Sequence, residues 1–264
     1  MPRYKSVHTG PQIDSGVARA LPGGEIDAEL ESKMEIEFLD NVDFTNPVAQ
    51  AGIGGMHGSV AYAVDRWKLI SGTVSWASDG LTLNGTIRQI REFPIGFPVD
   101  ASIEMHSGTA AITYDDSTKY CDITSSGGTI KRPHLGLREI TDWAKMPVPN
   151  RETELLRCQT HFIRMRSSSV YGSFGMCAAV ATALGYMAIY LPVAMRTPPV
   201  LVQHGAITIY GWSSSITLSA GDMVGNALTV GVVPGGSDQF TVGGAYETFI
   251  NNDATAYLDF ISDL

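Results

Sequence analysis

The sequence predicts a mainly β protein in which a short N-terminal helical segment precedes two antiparallel β-sandwich domains of jelly-roll-like form. Glycine is abundant, at 28 of 264 residues, whereas charged residues make up only 17% of the chain. Apolar residues recur at every second position over most of the length, which is typical of half-buried strands. Turn-forming Gly, Asp and Pro separate these alternating stretches. Together these observations favour many short strands over a helical protein.

Residues 1–37 carry the clear helical spacing of the chain. Apolar side chains recur at every fourth position on either side of a Pro-Gly-Gly break, at Ile13, Val17, Leu21, Ile26, Leu30 and Met34. A stripe this narrow cannot form a core, and isolated helices this short are marginal in water. We therefore expect oligomerisation through this segment, by packing on other copies of the chain or on a larger assembly. A solvated tail is the alternative interpretation.

Residues 38–147 are predicted to form the first sandwich. Leu81, Leu83 and Ile87 face one side of a strand, while the residues between them are polar. Trp67 and Trp76 fall within similar alternation, so we expect both rings in the core. Half-buried strands at this spacing describe an antiparallel sandwich.

Residues 148–264 are predicted to form the second β-sandwich, after a proline-rich linker at Lys145–Asn150. Alternation returns there, with Tyr257 and Asp259 expected on the solvent side of the last strand. Met176–Met195 lacks charge, but its alanines, glycine and proline lower its hydrophobicity. We expect two buried strands joined at a turn, and no membrane span.

The stretch TELLRCQTHFIRMR, Thr153–Arg166, sets a cysteine three positions before a histidine. A zinc site needs four ligands at recognisable spacing, and Cys158 and His161 have no such partners in the sequence. Nothing marks an oxyanion hole for a Cys–His nucleophile either. The pattern predicts a helical turn over Arg151–Gln159 that packs one apolar face, followed by a strand. We expect no metal, no cofactor and no catalytic residue.

Charge and cysteine content bound the partners and the compartment. The net charge of −9 argues against nucleic acid, because phosphate binding needs clustered Lys and Arg. Three cysteines do not make a disulfide framework. The first ten residues lack an apolar h-region, so we expect no signal peptide and maturation in a reducing cytoplasm.

Aromatic residues in loops are the candidate ligand contacts. Trp212 and Tyr210 flank a glycine beside three serines, and Tyr171 and Phe174 lie in a Gly/Ser-rich loop. An aromatic ring with nearby hydroxyls can stack on a sugar or a protein partner. The alternative interpretation is that these rings close the ends of the sandwich.

Three stretches resemble tail-fibre and receptor-binding proteins of tailed bacteriophages: RYKSVHTGPQIDSGV at Arg3–Val17, NVDFTNPVAQAGIGG…YAVDRW at Asn41–Trp67, and TELLRCQTHFIRM at Thr153–Met165. The resemblance implies a homotrimeric fibre. Its N-terminal segment docks on the virion, a carbohydrate-binding-like sandwich follows, and a C-terminal β domain faces the host. In the family an aromatic pair usually follows Cys-Gln, whereas here Thr160 and His161 precede Phe162. No catalytic residue is carried over.

We therefore expect a non-catalytic virion fibre protein, made in the host bacterial cytoplasm, that binds a host surface glycan or wall polymer during adsorption. Its expected partners are itself, other virion proteins through the N-terminus, and host carbohydrate. One alternative is a structural decoration or head-fibre protein that binds mainly other virion proteins. A second is a capsule-degrading enzyme, which two carboxylates facing each other across a cleft would favour.

Overall fold

The computed structural model describes residues 37–52, 56–57, 60–91, 95–96, 98–137, 140, 142–146, 148–166, 169, 171–212, 214–250, 253 and 255–262. The predicted N-terminal helical stripe lies outside the described residues. This applies to all of its members, Ile13, Val17, Leu21, Ile26, Leu30 and Met34.

The N-terminal module is built on one antiparallel sheet of seven strands, with β6 beside β7 in the order β1-β2-β3-β4-β7-β5. The 17-residue strand β7 organises the sheet, because β4 pairs along one edge while β6 and then β5 pair along the other. The strands are β1 Met56–His57, β2 Val60–Val64, β3 Trp67–Ala77, β4 Gly80–Ile90, β5 Asp100–Ser107, β6 Ala110–Asp115 and β7 Tyr120–Gly136.

The core face of this sheet is covered by the segment 37–48, which runs beside β7. The amide of Phe44 donates to Lys131 O at 2.9 Å, and the Phe44 ring meets the Trp67 ring edge-on at 5.6 Å. The alternation predicted for β4 is confirmed, since Leu81, Leu83 and Ile87 are fully buried. The core residues shared by the segment and the sheet include Leu39, Val42, Phe44, Trp67, Leu81, Leu83, Ile87 and Ile123.

The C-terminal module contains two further antiparallel sheets that contribute to one hydrophobic core. The six-stranded sheet has the order β12-β15-β9-β10-β14-β13, and the three-stranded sheet has the order β11-β16-β8. Their strands are β8 Phe162–Arg166, β9 Ser173–Ala181, β10 Leu184–Tyr190, β11 Val200–His204, β12 Ile207–Ile209, β13 Ile216–Val224, β14 Ala227–Pro234, β15 Ala245–Ile250 and β16 Tyr257–Ile261. A mainly β, antiparallel protein is therefore confirmed.

The two modules are joined by a short 3₁₀ turn at Trp143–Lys145 and by the helix α1, Arg151–Gln159. Asn150 caps the helix, because its side-chain oxygen accepts from the amides of Glu152 and Thr153. The helical turn predicted here is confirmed, and the predicted strand begins at Phe162. All three cysteines, Cys121, Cys158 and Cys177, are buried and unpaired with one another.

The uncharged stretch Met176–Met195 forms β9 and β10, as the sequence predicts. Cys177 and Ala179 on β9, and Met187 and Ile189 on β10, point into the shared core. The residues that alternate with them on each strand face outward. Within the described ranges, no helix is both long enough and apolar enough to cross a bilayer.

The prediction that both tryptophans of β3 lie in the core is right for Trp67 and wrong for Trp76. Trp76 pairs with the fully buried Leu81, so both are on the core side of the sheet. However, Trp76 lies one residue from the strand end, and 43% of its surface is exposed. Its indole Nε1 donates to Phe44 O at 2.8 Å, where the covering segment ends.

A buried ion pair lies on the outer face of the three-stranded sheet. Arg164 on β8 donates from Nε and Nη2 to the two carboxylate oxygens of Asp259 on β16, both at 2.7 Å. His204 on β11 places Nε2 3.3 Å from the same carboxylate. The prediction that Asp259 faces solvent is wrong, because the N-terminal module covers this face and leaves the side chain fully buried.

The covering contact is made by Gln50 and Asp65. Gln50 Nε2 donates both to Asp65 Oδ2 and to Phe162 O, each at 2.7 Å, so it bridges the two modules. Burial raises the pKa of Asp65 to about 6, against the opposing effects of the Gln50 hydrogen bonds and the nearby Arg164 charge. Asp65 therefore binds its proton more tightly in the folded protein than in the unfolded chain.

This carboxyl should make the junction less stable as pH rises. Between pH 4 and pH 6 the unfolded chain loses the Asp65 proton first, so folding becomes less favourable over that window. Because folding raises the pKa of Asp65 from about 4 to about 6, the carboxyl contributes on the order of 3 kcal/mol to the free energy of unfolding at low pH, and this contribution is lost as the pH rises. We expect Asp65→Asn to remove this part of the pH dependence, measured by urea unfolding at pH 4, 5, 6 and 7. If the free energy of unfolding falls equally with pH in wild type and variant, the expectation is contradicted. Asp222→Asn, at an exposed position on β13, controls for the lost charge.

Candidate functional site

One end of the C-terminal module carries an open cavity of about 520 Å³ lined by three aromatic rings and one carboxylate. Its lining residues are Tyr171, Tyr210, Gly211, Glu247 and Phe249. We call this site the aromatic groove. Tyr210 is 80% exposed and Tyr171 is 59% exposed, although apolar rings are usually covered. The Tyr210 and Phe249 ring centroids lie 6.3 Å apart, with their planes inclined at 49°.

The turn after β12 presents Tyr210. The amide of Trp212 donates to Ile209 O at 2.9 Å, which closes a tight turn with Tyr210 and Gly211 at its centre. Gly211 has φ of +83°, a left-handed conformation that glycine adopts without strain. The Tyr210 amide lies 3.3 Å from Glu247 O, so the turn stays tied to β15.

The floor of the groove comes from β15. Glu247 and Phe249 share one face of this strand, because the residue between them, Thr248, is fully buried on the core side. Tyr171 is brought to the same place by the amide of Ile250, which donates to Gly172 O at 3.0 Å. Three chain segments that are distant in sequence therefore meet at this groove.

The structure brings together two of the four predicted ligand contacts, Tyr171 and Tyr210. Phe174 is partly buried and packs against the core of the C-terminal module. Trp212 packs against the same core, with its ring centroid 5.0 Å from Phe240 and 5.8 Å from Tyr246. Neither Phe174 nor Trp212 is among the residues that line the groove.

Sequence reasoning missed Glu247 and Phe249. The signal was the alternation in YETFI, Tyr246–Ile250, which places an acid and an aromatic ring on one face of a strand. Their significance depends on the pairing of β12 with β15, in which Ile207 lies opposite Ile250. A local pattern does not contain that pairing.

The Cys158 and His161 pair lies away from the groove, under the helix α1. Burial raises the pKa of the Cys158 thiol well above its usual value. Burial, together with the nearby charges of Arg66 and Arg196, lowers the pKa of His161 to about 3. Within the described part of the chain, no group of three or more His, Cys, Asp or Glu side chains is arranged to hold a metal ion.

A second cavity, of about 350 Å³, lies at the junction and is lined by charged residues. Its charges are largely satisfied within the protein. Arg66 Nε donates to Asp40 at 3.1 Å, and Arg91 Nη1 donates to Phe38 O. Both contacts lie within the N-terminal module.

The outer side of the six-stranded sheet exposes an unusual number of apolar side chains, and we call it the apolar face. Strands β9, β10 and β14 contain no charged residue. Glu247 of the groove pairs with Met176 of β9, so the groove borders this face. The large exposed side chains of the face are Met176, Val180, Tyr186, Tyr190 and Val233.

The two loop aromatics separated by Gly211 should respond differently to truncation. We expect Trp212→Ala to lower the free energy of unfolding by about 2–3 kcal/mol, since its partly buried ring packs on Phe240 and Tyr246. Tyr210→Ala should change it by less than about 0.5 kcal/mol, because the ring is largely exposed. Urea unfolding of both variants measures the difference. Equal losses would show that the two rings are packed alike.

The chain matches no protein-family model, no curated protein and no solved structure. Function is therefore inferred from the chemistry of the aromatic groove and of the apolar face.

Proposed function

We propose that the protein is a non-catalytic fibre protein of a bacteriophage virion that binds a host surface glycan or wall polymer in the aromatic groove during adsorption. The observation that carries the proposal is the exposure of Tyr171 and Tyr210 beside Phe249 and Glu247. The resemblance of three sequence stretches to phage tail-fibre and receptor-binding proteins supports the biological setting.

Sugar binding fits the groove chemically. The C–H face of a pyranose ring stacks on an aromatic ring, while its hydroxyls hydrogen-bond to carboxylate and phenol groups. The groove offers three rings, two phenol hydroxyls and one carboxylate. Its volume of about 520 Å³ lies within the range of small-molecule sites, about 300–1,000 Å³. A short oligosaccharide would therefore fit.

Self-association is part of the proposal, and the apolar face supports it. The three strands that carry this face, β9, β10 and β14, lie about 4.8 Å apart and are about 20 Å long, which gives an apolar area on the order of 300 Å². That area is less than half of the roughly 800 Å² per partner of a standard interface, so the flanking strands β15 and β13 would supply the rest of the contact. A second copy is the occupant we propose, because the chain carries a charge of −9 and this face avoids charge–charge repulsion.

We propose a homotrimer in which three grooves act together. Weak binding at each groove would then be strengthened by avidity at a cell surface that repeats the same glycan. Attachment to other virion proteins is assigned to residues 1–37, as the sequence predicts, and the two β modules are proposed to be sandwich domains.

A second candidate function is a virion decoration or head-fibre protein. The observation that favours it is the apolar face, which fits another virion protein as well as a second copy. The two functions differ in what the groove does, because a decoration protein has no need of exposed tyrosines beside a carboxylate.

The groove should lose affinity when its exposed rings are removed. We expect Tyr210→Ala and Tyr171→Ala each to weaken oligosaccharide binding by about 1 kcal/mol, or roughly five-fold, through lost stacking. Glycan-array screening identifies the ligand, and titration calorimetry with a short oligosaccharide measures affinity without avidity. Val224→Ala is the control, since Val224 is as exposed as Tyr210 and lies outside both the groove lining and the apolar face. Equal losses in all three variants would exclude the groove as the site.

The oligomeric state should depend on the apolar face. We expect Val180→Asp to convert the trimer to monomers, because it buries an unpaired charge at the contact. Val200→Asp on β11, at a similarly exposed valine away from this face, should leave the trimer intact. Sedimentation velocity distinguishes the species. A wild-type monomer, or dissociation by both variants, would contradict the assignment.

A further inference from the structure

The aromatic groove carries a negative charge on the side formed by β15. Among the described residues that line it, Glu247 carries the single charge and none is basic. The Glu247 side chain is exposed, and across the described part of the chain it makes no ion pair or hydrogen bond. Its cross-strand neighbour on β9 is the uncharged Met176. The carboxylate is therefore presented to whatever enters the groove.

The position of Glu247 relates it directly to the rings. Glu247 and Phe249 are two residues apart on one strand face, which separates their Cα atoms by about 7 Å. A pyranose stacked on Phe249 or Tyr210 would place ring hydroxyls within reach of the carboxylate. Two neighbouring hydroxyls can each donate to one of its oxygens, which is a charge-assisted arrangement.

We infer that the groove selects uncharged, hydroxyl-rich sugars over anionic ones and that Glu247 is the specificity-determining residue. The inference rests on the proposed sugar-binding function and names its ligand class. A phosphate, sulfate or carboxylate on the sugar would meet Glu247 at short range, and none of the described lining residues is a cation that offsets the repulsion. The acidic chain adds a weaker long-range repulsion of the same sign.

A quaternary ammonium ligand would also use aromatic rings and a carboxylate. The dimensions of the groove favour the sugar. A trimethylammonium group is held by rings that surround it closely, whereas this cavity measures about 520 Å³ and is open.

The test uses the full-length protein on an array of matched pairs, each a neutral oligosaccharide beside its sialylated, sulfated, phosphorylated or uronate-containing derivative. We expect wild type to favour the neutral member by roughly ten-fold or more, which corresponds to about 1.4 kcal/mol. Glu247→Gln should weaken binding of the neutral oligosaccharide a few-fold and reduce the ratio of its affinity to that of the anionic derivative. Glu247→Lys should reverse it. Glu152→Gln and Glu152→Lys, at an exposed position on α1, are matched controls for net charge.

The outcomes separate the inference from the proposed function. If wild type prefers the anionic members and Tyr210→Ala abolishes that binding, sugar binding stands and the selectivity is overturned. Unchanged ratios in both Glu247 variants, with unchanged melting temperatures, also overturn it. Tighter binding of free choline than of any sugar overturns the ligand class. If no glycan binds at all, the proposed function fails, and the inference fails with it.

Discussion

The bidentate ion pair between Arg164 and Asp259 is the interaction on which the architecture depends. Two charges buried this completely are stable together but costly apart, since removing one leaves the other unpaired. The pair joins β8 to β16, the first and last strands of the C-terminal module. It is also covered by Asp65 and Gln50 of the N-terminal module. One contact therefore closes the C-terminal module and fixes its position against the N-terminal module.

This constraint determines which surface is left for binding. One face of the three-stranded sheet packs on the core, and the N-terminal module covers the ion pair on the other. The six-stranded sheet packs on the core from its inner side and keeps its outer side exposed. The aromatic groove and the apolar face both belong to that outer side. In the proposed trimer the ligand site would lie next to a subunit boundary, so a substitution at Met176 could affect both.

Much of the fold was predictable from the sequence, because alternation reports the period of a strand directly. It located β4, β16 and β8. Alternation shows on which face of a sheet a side chain lies, but not what covers that face. Trp76 lies on the core face of its sheet but is partly exposed, because it is close to a strand end. Asp259 lies on the face opposite the core and is nevertheless buried, because the N-terminal module covers it. Half of the lining of the groove was predictable from the composition of its loops. Tyr171 and Tyr210 stand out in glycine-rich loops, but Glu247 and Phe249 join them only through strand pairing.

The three cysteines have a consequence outside the ligand site. Burial raises the pKa of each thiol, so at neutral pH none presents a thiolate to the solvent. The native chain is therefore a poor substrate for alkylating reagents and for disulfide exchange, although it contains no disulfide. In the proposed virion, exposure to aerated surroundings would not cross-link the chain through these thiols. For the same reason, a cysteine introduced at an exposed position would react with a maleimide dye far faster than the native three. That makes site-specific labelling of the folded protein possible without first replacing its own cysteines.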